Sequence, residues 1–404
     1  MSEDKPGLFS ALGFPNYRRL WSGAFVSSLG TWTQDVALAW LIHTSLREPV
    51  YLGLRSFAAE APLLAFMMIG GAMADRWDRR RILLISQFLQ MGFAAALAAL
   101  YFSGQLGIGA ILLIAFLTGL TQSQSAPTYQ AVLSSLVPPR HIPNAVALNS
   151  LQFNLSRTLG PALAGLLLAR AGTGACFVVN AASFLAVIVA LWRIEIPSPA
   201  STKGESLAQS LRAGLRYVRA SPVLRTLSLM GLLGSFLAFP LITYLPVVAG
   251  DVLGAGVGGF SLLLSGFGLG AIVGALATAY RGPAAGRGRT LLFALMVHGA
   301  MVFAAVHARA LWPATGLLFA AGVSLSCAFS MLNSLVQEQA PDELRGRVLS
   351  IYGLAFRGGM PLGSLAAGFF VKAHGAPAVL GVFSLGVVLL AALAFASGDR
   401  VRGL

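Results

Sequence analysis

The chain has 404 residues, 56% of them hydrophobic and only 10% charged, with a mean hydropathy of +0.77. Soluble domains carry about 25% charged residues, so these values exclude a soluble globular protein and indicate an integral membrane chain. The net charge of +14 comes from 28 Lys and Arg against 14 Asp and Glu. The bases cluster at the ends of apolar runs, which is a pattern of membrane orientation and excludes a nucleic-acid-binding face.

At about 20 residues per crossing, the length allows roughly a dozen spans. The N-terminus carries Glu3, Asp4 and Lys5, and the first apolar run starts near Leu20 without a small-residue cleavage pattern. It is therefore expected to be a first span and not a removable signal. The first half reads as spans over Leu20–Ile42, Tyr51–Ala74, Ile82–Ser103, Ile108–Ala126, Ala145–Ala169 and Ala175–Trp192. The second half reads as Thr226–Val248, Gly258–Ala279, Leu291–Val306, Leu311–Leu335, Val348–Val371 and Ala376–Ala396. Lipid cannot satisfy backbone polar groups and no alternating strand pattern is present, so each span is predicted to be a helix. Cys176 and Cys327 both fall inside apolar runs, giving no disulfide framework and no metal-ligand spacing. No cofactor or metal is expected.

Charge placement orients the chain. With both termini in the cytoplasm, 21 of the bases lie inside, four lie outside (Arg47, Arg170, Arg309 and Lys372) and three lie within spans. That asymmetry predicts a multi-pass protein of the cytoplasmic membrane with both ends inside. The halves also repeat. Arg157 precedes Pro161 in the fifth span as Arg357 precedes Pro361 in the eleventh, and each span follows a polar turn with proline. The expected fold is all-α, with twelve transmembrane helices in two pseudo-symmetric six-helix bundles, as in parallel-repeat transporters. The domain boundaries are residues 1–193 for the N-terminal bundle, 194–222 for a cytoplasmic central loop, and 223–404 for the C-terminal bundle. Within the loop, Leu207, Leu211, Leu215 and Val218 recur at helical spacing while Arg212, Arg216 and Arg219 fall on another face. This predicts an amphipathic helix at the inner membrane surface or a tether of fixed length. The run Gly266, Gly268, Gly270 and Gly274 predicts close helix packing.

Ionisable groups inside spans cost about 2.5–3.5 kcal/mol each on insertion scales and default to function. Asp35 lies roughly 10–12 Å below the outer end of the first span, and Glu60 roughly 13 Å below that of the second, at 1.5 Å per residue. Two carboxylates thus reach similar depth, where mutual repulsion and low dielectric let one exchange a proton near neutral pH. Arg157 and Arg357 sit near the middle of their spans and are candidates to hold substrate or counter-charge. Simple pairing with the acids is the alternative. Gln34, Gln122 and Asn154 are candidate substrate contacts, with interhelical hydrogen bonding as their plainer role, shared by Gln124, Asn149 and Asn333. Arg55 lies near a span end and is expected to snorkel, and His298 is expected to be a packed histidine. No paired histidines, serine–histidine set or metal motif occupies the spans, so an enzyme is not expected.

Between the second and third spans, Gly70 to Arg81 ends an apolar run at Asp75 and adds Arg76, Arg79, Arg80 and Arg81 within six positions. Gly71, Asp75, Arg76, Arg79, Arg80 and Arg81 match the loop signature of major facilitator superfamily transporters, with Asp78 where a second glycine is usual. The 30–40 stretch, Asn144–Asn149, Arg157–Gly165 and Pro341–Arg347 resemble the bacterial drug- and siderophore-exporter branch that includes enterobactin exporters. This resemblance implies alternating access around a central cavity, efflux of a small amphipathic molecule and a cytoplasmic gate at Gly71, Asp75, Arg76, Arg79 and Arg80. The fourth span lacks the arginine, and the fifth the full glycine pattern, of proton antiporters in that superfamily. The expected function is proton-antiporting export by a monomer, with a small-molecule substrate, protons and lipid as partners. An uptake permease of the same fold and a non-transporting membrane sensor or scaffold are the alternatives.

Overall fold

The structure is a computed structural model that describes residues 7, 9–196, 207–281, 286–396 and 399–404. The side chains of 67–76, 207–211, 281 and 399–400 lie outside the described part. The described residues form helices and turns, with no strand among them. Nine stretches among them are long and apolar enough to cross a membrane.

A 3₁₀ turn at Ser10–Gly13 leads into α1 (Pro15–Leu41), which ends in a π turn, Ile42–Leu46. Next come α2 (Val50–Arg76), α3 (Arg79–Phe102), α4 (Ile108–Ser135) and α5 (Ile142–Trp192). The last is two helices in series, broken at Gly172 with φ 76° and ψ 179°. Only glycine takes that backbone without penalty, so the fifth and sixth spans turn about one residue with almost no loop. The 54-residue stretch Pro139–Trp192 is about 80 Å of helix at 1.5 Å per residue, enough for two crossings.

The second half holds α6 (Leu207–Ala220), α7 (Pro222–Ala238), α8 (Pro240–Val247), a π turn at Val248–Val252, and α9 (Gly256–Arg281). It continues with α10 (Arg287–Val306), α11 (Leu311–Gln339), α12 (Arg345–His374), α13 (Ala376–Ala396) and the short α14 (Asp399–Arg402). The predicted seventh span is split at Phe239, because the Pro240 that opens α8 has no N–H for the preceding turn. Several helices outrun their apolar cores. The helix α4 continues through Pro127 to Ser135, and α10 starts four residues before Leu291. Hydrophobicity marks only the part that suits hydrocarbon, while the helical hydrogen-bond ladder continues into polar flanks.

The chain divides into two compact units, one of residues 1–38 and 58–203, the other of residues 39–57 and 204–404. In the first, Leu20, Leu83, Val132, Phe184 and Leu191 form a buried core from α1, α3, α4 and the second part of α5. A second cluster seats the N-terminal 3₁₀ turn through Ala11, beside Tyr17, Leu133 and Leu148. Small residues set the spacing. A Cβ on Gly119 of α4 would run into the backbone carbonyl of Ala59 on α2. In the second unit the predicted glycine run does pack closely, Gly270 and Gly274 of α9 meeting the Phe319 and Val323 carbonyls of α11. The amphipathic helix α6 lies in the second unit, with Gly214 against Arg347 of α12 and Val218 buried, while Arg212, Arg216 and Arg219 stay exposed.

The second unit also takes the chain from 39 to 57, which joins α1 to α2. Trp40 stacks on Phe260 of α9 with ring centroids 6.1 Å apart. Gly53 of α2 approaches the Ser364 carbonyl of α12 and the Tyr244 hydroxyl, and Gly368 of α12 approaches Val50. Lys372 Nζ donates to Glu48 Oε1 at 2.9 Å.

Candidate functional site: polar groups within the helices

The helix α1 is too polar to count among the nine apolar spans. Its middle carries Ser27, Ser28, Thr31, Thr33, Gln34 and Asp35. A membrane helix with such a stripe must bury it against protein, and the first unit does so on two sides.

On one side α1 runs alongside the first part of α5 in parallel register. Tyr17 Oη donates to the Ala145 carbonyl at 2.8 Å, and Trp21 Nε1 to the Leu148 carbonyl at 2.9 Å. Gln152 Nε2 donates to the Ala24 carbonyl at 3.1 Å and to Ser28 Oγ at 2.9 Å. Thr33 Oγ1 donates to the Gly160 carbonyl at 3.4 Å. Each pair is separated by 124 to 128 positions. That register puts Arg157 level with residue 29 or 30 of α1, about 8 Å along the axis from Asp35 at 1.5 Å per residue. On the other side lies the second part of α5. Asn180, 2% exposed, donates through Nδ2 to Gln34 Oε1 at 2.9 Å and accepts from Thr31 Oγ1 at 3.4 Å.

The candidate residues therefore occupy different settings. Asp35, Glu60, Arg157, Gln34, Gln122 and Asn154 are all half-buried members of the first unit, and Arg357 is an exposed residue of the second. Glu60 follows Ala59, whose carbonyl faces Gly119, three residues before Gln122 on α4. Gln34 is held by Asn180, and Asn154 Nδ2 donates within its own helix to the Ser150 carbonyl at 2.8 Å. Asn180 is absent from the sequence expectations, although a lone amide within the apolar sixth span is a readable signal. His298 is 1% exposed with Nδ1 2.9 Å from the Ala321 carbonyl, the packed arrangement expected of it.

One position before Arg357 in the chain, Phe356 belongs to a group of aromatic rings from three helices of the second unit. Phe329 of α11 and Phe356 of α12 meet at 4.7 Å, edge to face, and Phe239 at the end of α7 lies 5.8 Å from Phe356. Tyr352 stacks on Phe356 one helical turn away, at 6.2 Å. The three phenylalanines are each partly exposed. Scattered phenylalanines in apolar spans gave no sign of this cluster, since it depends on which faces three separate helices present.

The predicted gate divides in the same way. The helix α2 continues through Gly71, Asp75 and Arg76, so the turn is only Trp77 and Asp78. The side chains of Gly71, Asp75 and Arg76 lie outside the described residues. Asp78 caps α3, its Oδ1 accepting from the Arg80 amide at 2.9 Å and the Arg81 amide at 3.3 Å. Arg79 opens α3. Arg80 donates from Nε to the Leu191 carbonyl at 2.9 Å and from Nη2 to the Trp192 carbonyl at 2.6 Å, closing the C-terminal end of α5. A cavity of about 490 Å³ lies beside this turn, between Trp77, Arg81, Ile85 and Leu89 on one wall and Leu120 and Gln124 on the other.

The family described as transmembrane secretion effector matches residues 7–401. The multidrug efflux pump Tap of Mycolicibacterium fortuitum is 27% identical over 92% of this chain and 93% of its own length. The enterobactin exporter EntS of Shigella boydii is 26% identical over 94% and 92%. The staphyloferrin A transporter of Staphylococcus aureus is 27% identical over 57% of this chain and 58% of its own length. Among solved structures, a mutant of the nucleoside transporter NupG aligns with a TM-score of 0.79 at 13% identity, covering 94% of this chain and 99% of that one. A D-xylose-proton symporter aligns with a TM-score of 0.71 at 15% identity, covering 98% and 99%. At such identities the structures show the fold alone.

Proposed function

Since the chain belongs to the transmembrane secretion effector family of the major facilitator superfamily, we propose that it exports a small amphipathic molecule from the cytoplasm by alternating access, driven by proton antiport. It works as a monomer of twelve spans in two six-helix halves, in the cytoplasmic membrane with both termini inside. The observation that carries this reading is the full-length likeness to two exporters, one of drugs and one of a siderophore. The likeness to uptake transporters is one of fold only, and no observation on this chain favours uptake.

The polar interior supports coupling. Asp35 and Glu60 lie in spans of the first unit, where a carboxylate is expensive unless it does something. In this reading one or both take up a proton from outside and release it inside as the substrate moves outward. Arg157, some 8 Å along the axis from Asp35 by helix register, supplies a fixed positive charge that favours the ionised acid. Arg357 offers a cation, and the Phe239–Phe329–Phe356 rings of the same unit offer π faces, which suit an amphipathic ligand with an aromatic or acidic part.

The test is transport in everted vesicles from cells overproducing the protein, with ethidium and, separately, enterobactin as probes. Either probe should accumulate when a proton gradient is imposed and should draw protons out of the lumen as it enters. Accumulation in right-side-out vesicles, with none in everted ones, would establish uptake and refute the proposal. Probe movement that leaves the proton gradient untouched would refute antiport alone.

A further inference from the structure

The segment from 39 to 57 holds a histidine in an unusual position. His43 follows the predicted end of the first span at Ile42 and sits in the Ile42–Leu46 π turn. Its side chain is only 12% exposed. The ring meets Trp40 at a tilt of 56°, with centroids 5.4 Å apart. Its Nε2 presses on Gly250, where any side chain would collide with it. Trp40 in turn stacks on Phe260 of α9. The imidazole is thus a peg that seats the segment on the 248–252 π turn and α9.

The charged groups facing the peg do little to support a charge on it. Asp251, from the 248–252 turn, has Oδ1 3.5 Å from Nε2, but its side chain is 66% exposed. Water screens an exposed carboxylate, so its attraction is modest. Arg47, on the same turn as His43, repels a second cation. Glu48, the remaining acid of this turn, is occupied by Lys372 of α12. Neutral imidazole fits the slot, and an imidazolium would be desolvated against Trp40 and Gly250.

We infer that proton binding to His43 releases the 39–57 segment from the second unit, making this segment a clasp that acid opens. The sign follows from linkage. Burial, the largest influence, lowers the proton affinity of His43 in the seated state, Asp251 raises it less, and Arg47 lowers it. A freed His43 would return to the ordinary value near 6.5. Protons therefore bind the released state better, and falling pH through that region shifts the population toward release. The Glu48–Lys372 pair is a second tie on the same segment. In the orientation proposed above the turn faces outward, so acid outside would favour the state that receives protons. This last link alone rests on that orientation.

The experiment needs no substrate. Spin labels at Ser45→Cys and Val257→Cys, in a Cys176→Ala, Cys327→Ala background, report the separation of the segment from α9 in lipid nanodiscs bathed by one buffer. On going from about pH 8 to about pH 5.5, a range spanning the ordinary histidine value, the population at longer distance should rise severalfold. His43→Gln, uncharged throughout, should give the same distribution at both values. Asp251→Asn, which removes the one favourable charge, should enlarge the response to acid. Lys372→Gln should lengthen distances at both values and leave the acid response in place. A response that persists in His43→Gln overturns the inference, as does a wild-type distribution that ignores pH or shortens in acid. Because no transported molecule is involved, failure here leaves the export reading standing, and failure of export leaves this result readable.

Discussion

Asn180 holds Gln34. The carboxamide Nδ2 of Asn180 donates to Gln34 Oε1 at 2.9 Å, joining α1 to the second part of α5 inside the first unit. A side chain with the chemistry of a ligand contact is thereby committed to holding two spans together. Asn180→Leu should lower stability in detergent by about 0.6–1.7 kcal/mol, the span seen for hydrogen bonds between membrane helices. Gln34→Leu should do the same, and the double variant should cost less than the two together. Chemical unfolding of the purified protein measures all three. Additive losses would show the two amides acting independently.

Asp35→Asn and Glu60→Gln keep shape and remove charge. Each should still fold, because the isosteric amide keeps the side chain's volume. At least one of the two should abolish gradient-driven accumulation of ethidium or enterobactin in everted vesicles. Undiminished, still pH-dependent transport in both would show that the proton is carried elsewhere.

Arg80 and Arg81 are neighbours with different work. Arg80 closes the end of α5 through the Leu191 and Trp192 carbonyls, whereas Arg81 has a side chain 84% exposed beside Asp78. Arg80→Ala should cost about 1 kcal/mol, a charged hydrogen bond discounted for its exposure. Arg81→Ala should cost nothing measurable. Differential scanning fluorimetry on the two variants separates an anchoring role for the basic cluster from a purely topogenic one.

Gly119 tests how closely α2 and α4 must approach. Its missing Cβ makes room for the Ala59 carbonyl, one residue before Glu60. Gly119→Ala should destabilise by about 1–3 kcal/mol, the usual cost of forcing extra atoms into a packed interior. It should also reduce transport by displacing Glu60. Size-exclusion profiles and vesicle assays report the two effects separately.

Much of this molecule is readable from its residues, and the unreadable part has a common cause. The apolar runs place nearly every helix, because lipid leaves a chain little choice but to close its own hydrogen bonds. The glycine run of α9 and the packed His298 follow from the same reasoning. Helix ends such as Ser135 and Arg287 do not, since hydrophobicity stops before the helix does. The break at Phe239 needs the proline to be read together with a span that looks continuous. Asp35, Glu60 and Arg157 stand out because charge in hydrocarbon is costly. The Asn180–Gln34 bond, the three-helix aromatic cluster and the seat of His43 depend on which faces meet, which no single stretch of sequence records.

One consequence concerns fragments. Residues 39–57 sit between two segments of the first unit along the chain, yet pack within the second. A chain severed in its central linker would leave the N-terminal piece with Trp40, His43, Gly53 and Glu48 stripped of Phe260, Gly250, Ser364 and Lys372. Co-produced pieces should then recombine through that handle, whereas the N-terminal piece made alone should expose a sticky hairpin tip and be prone to aggregation and proteolysis. Attempts at complementation should keep residues 39–57 intact and search for the cut site elsewhere.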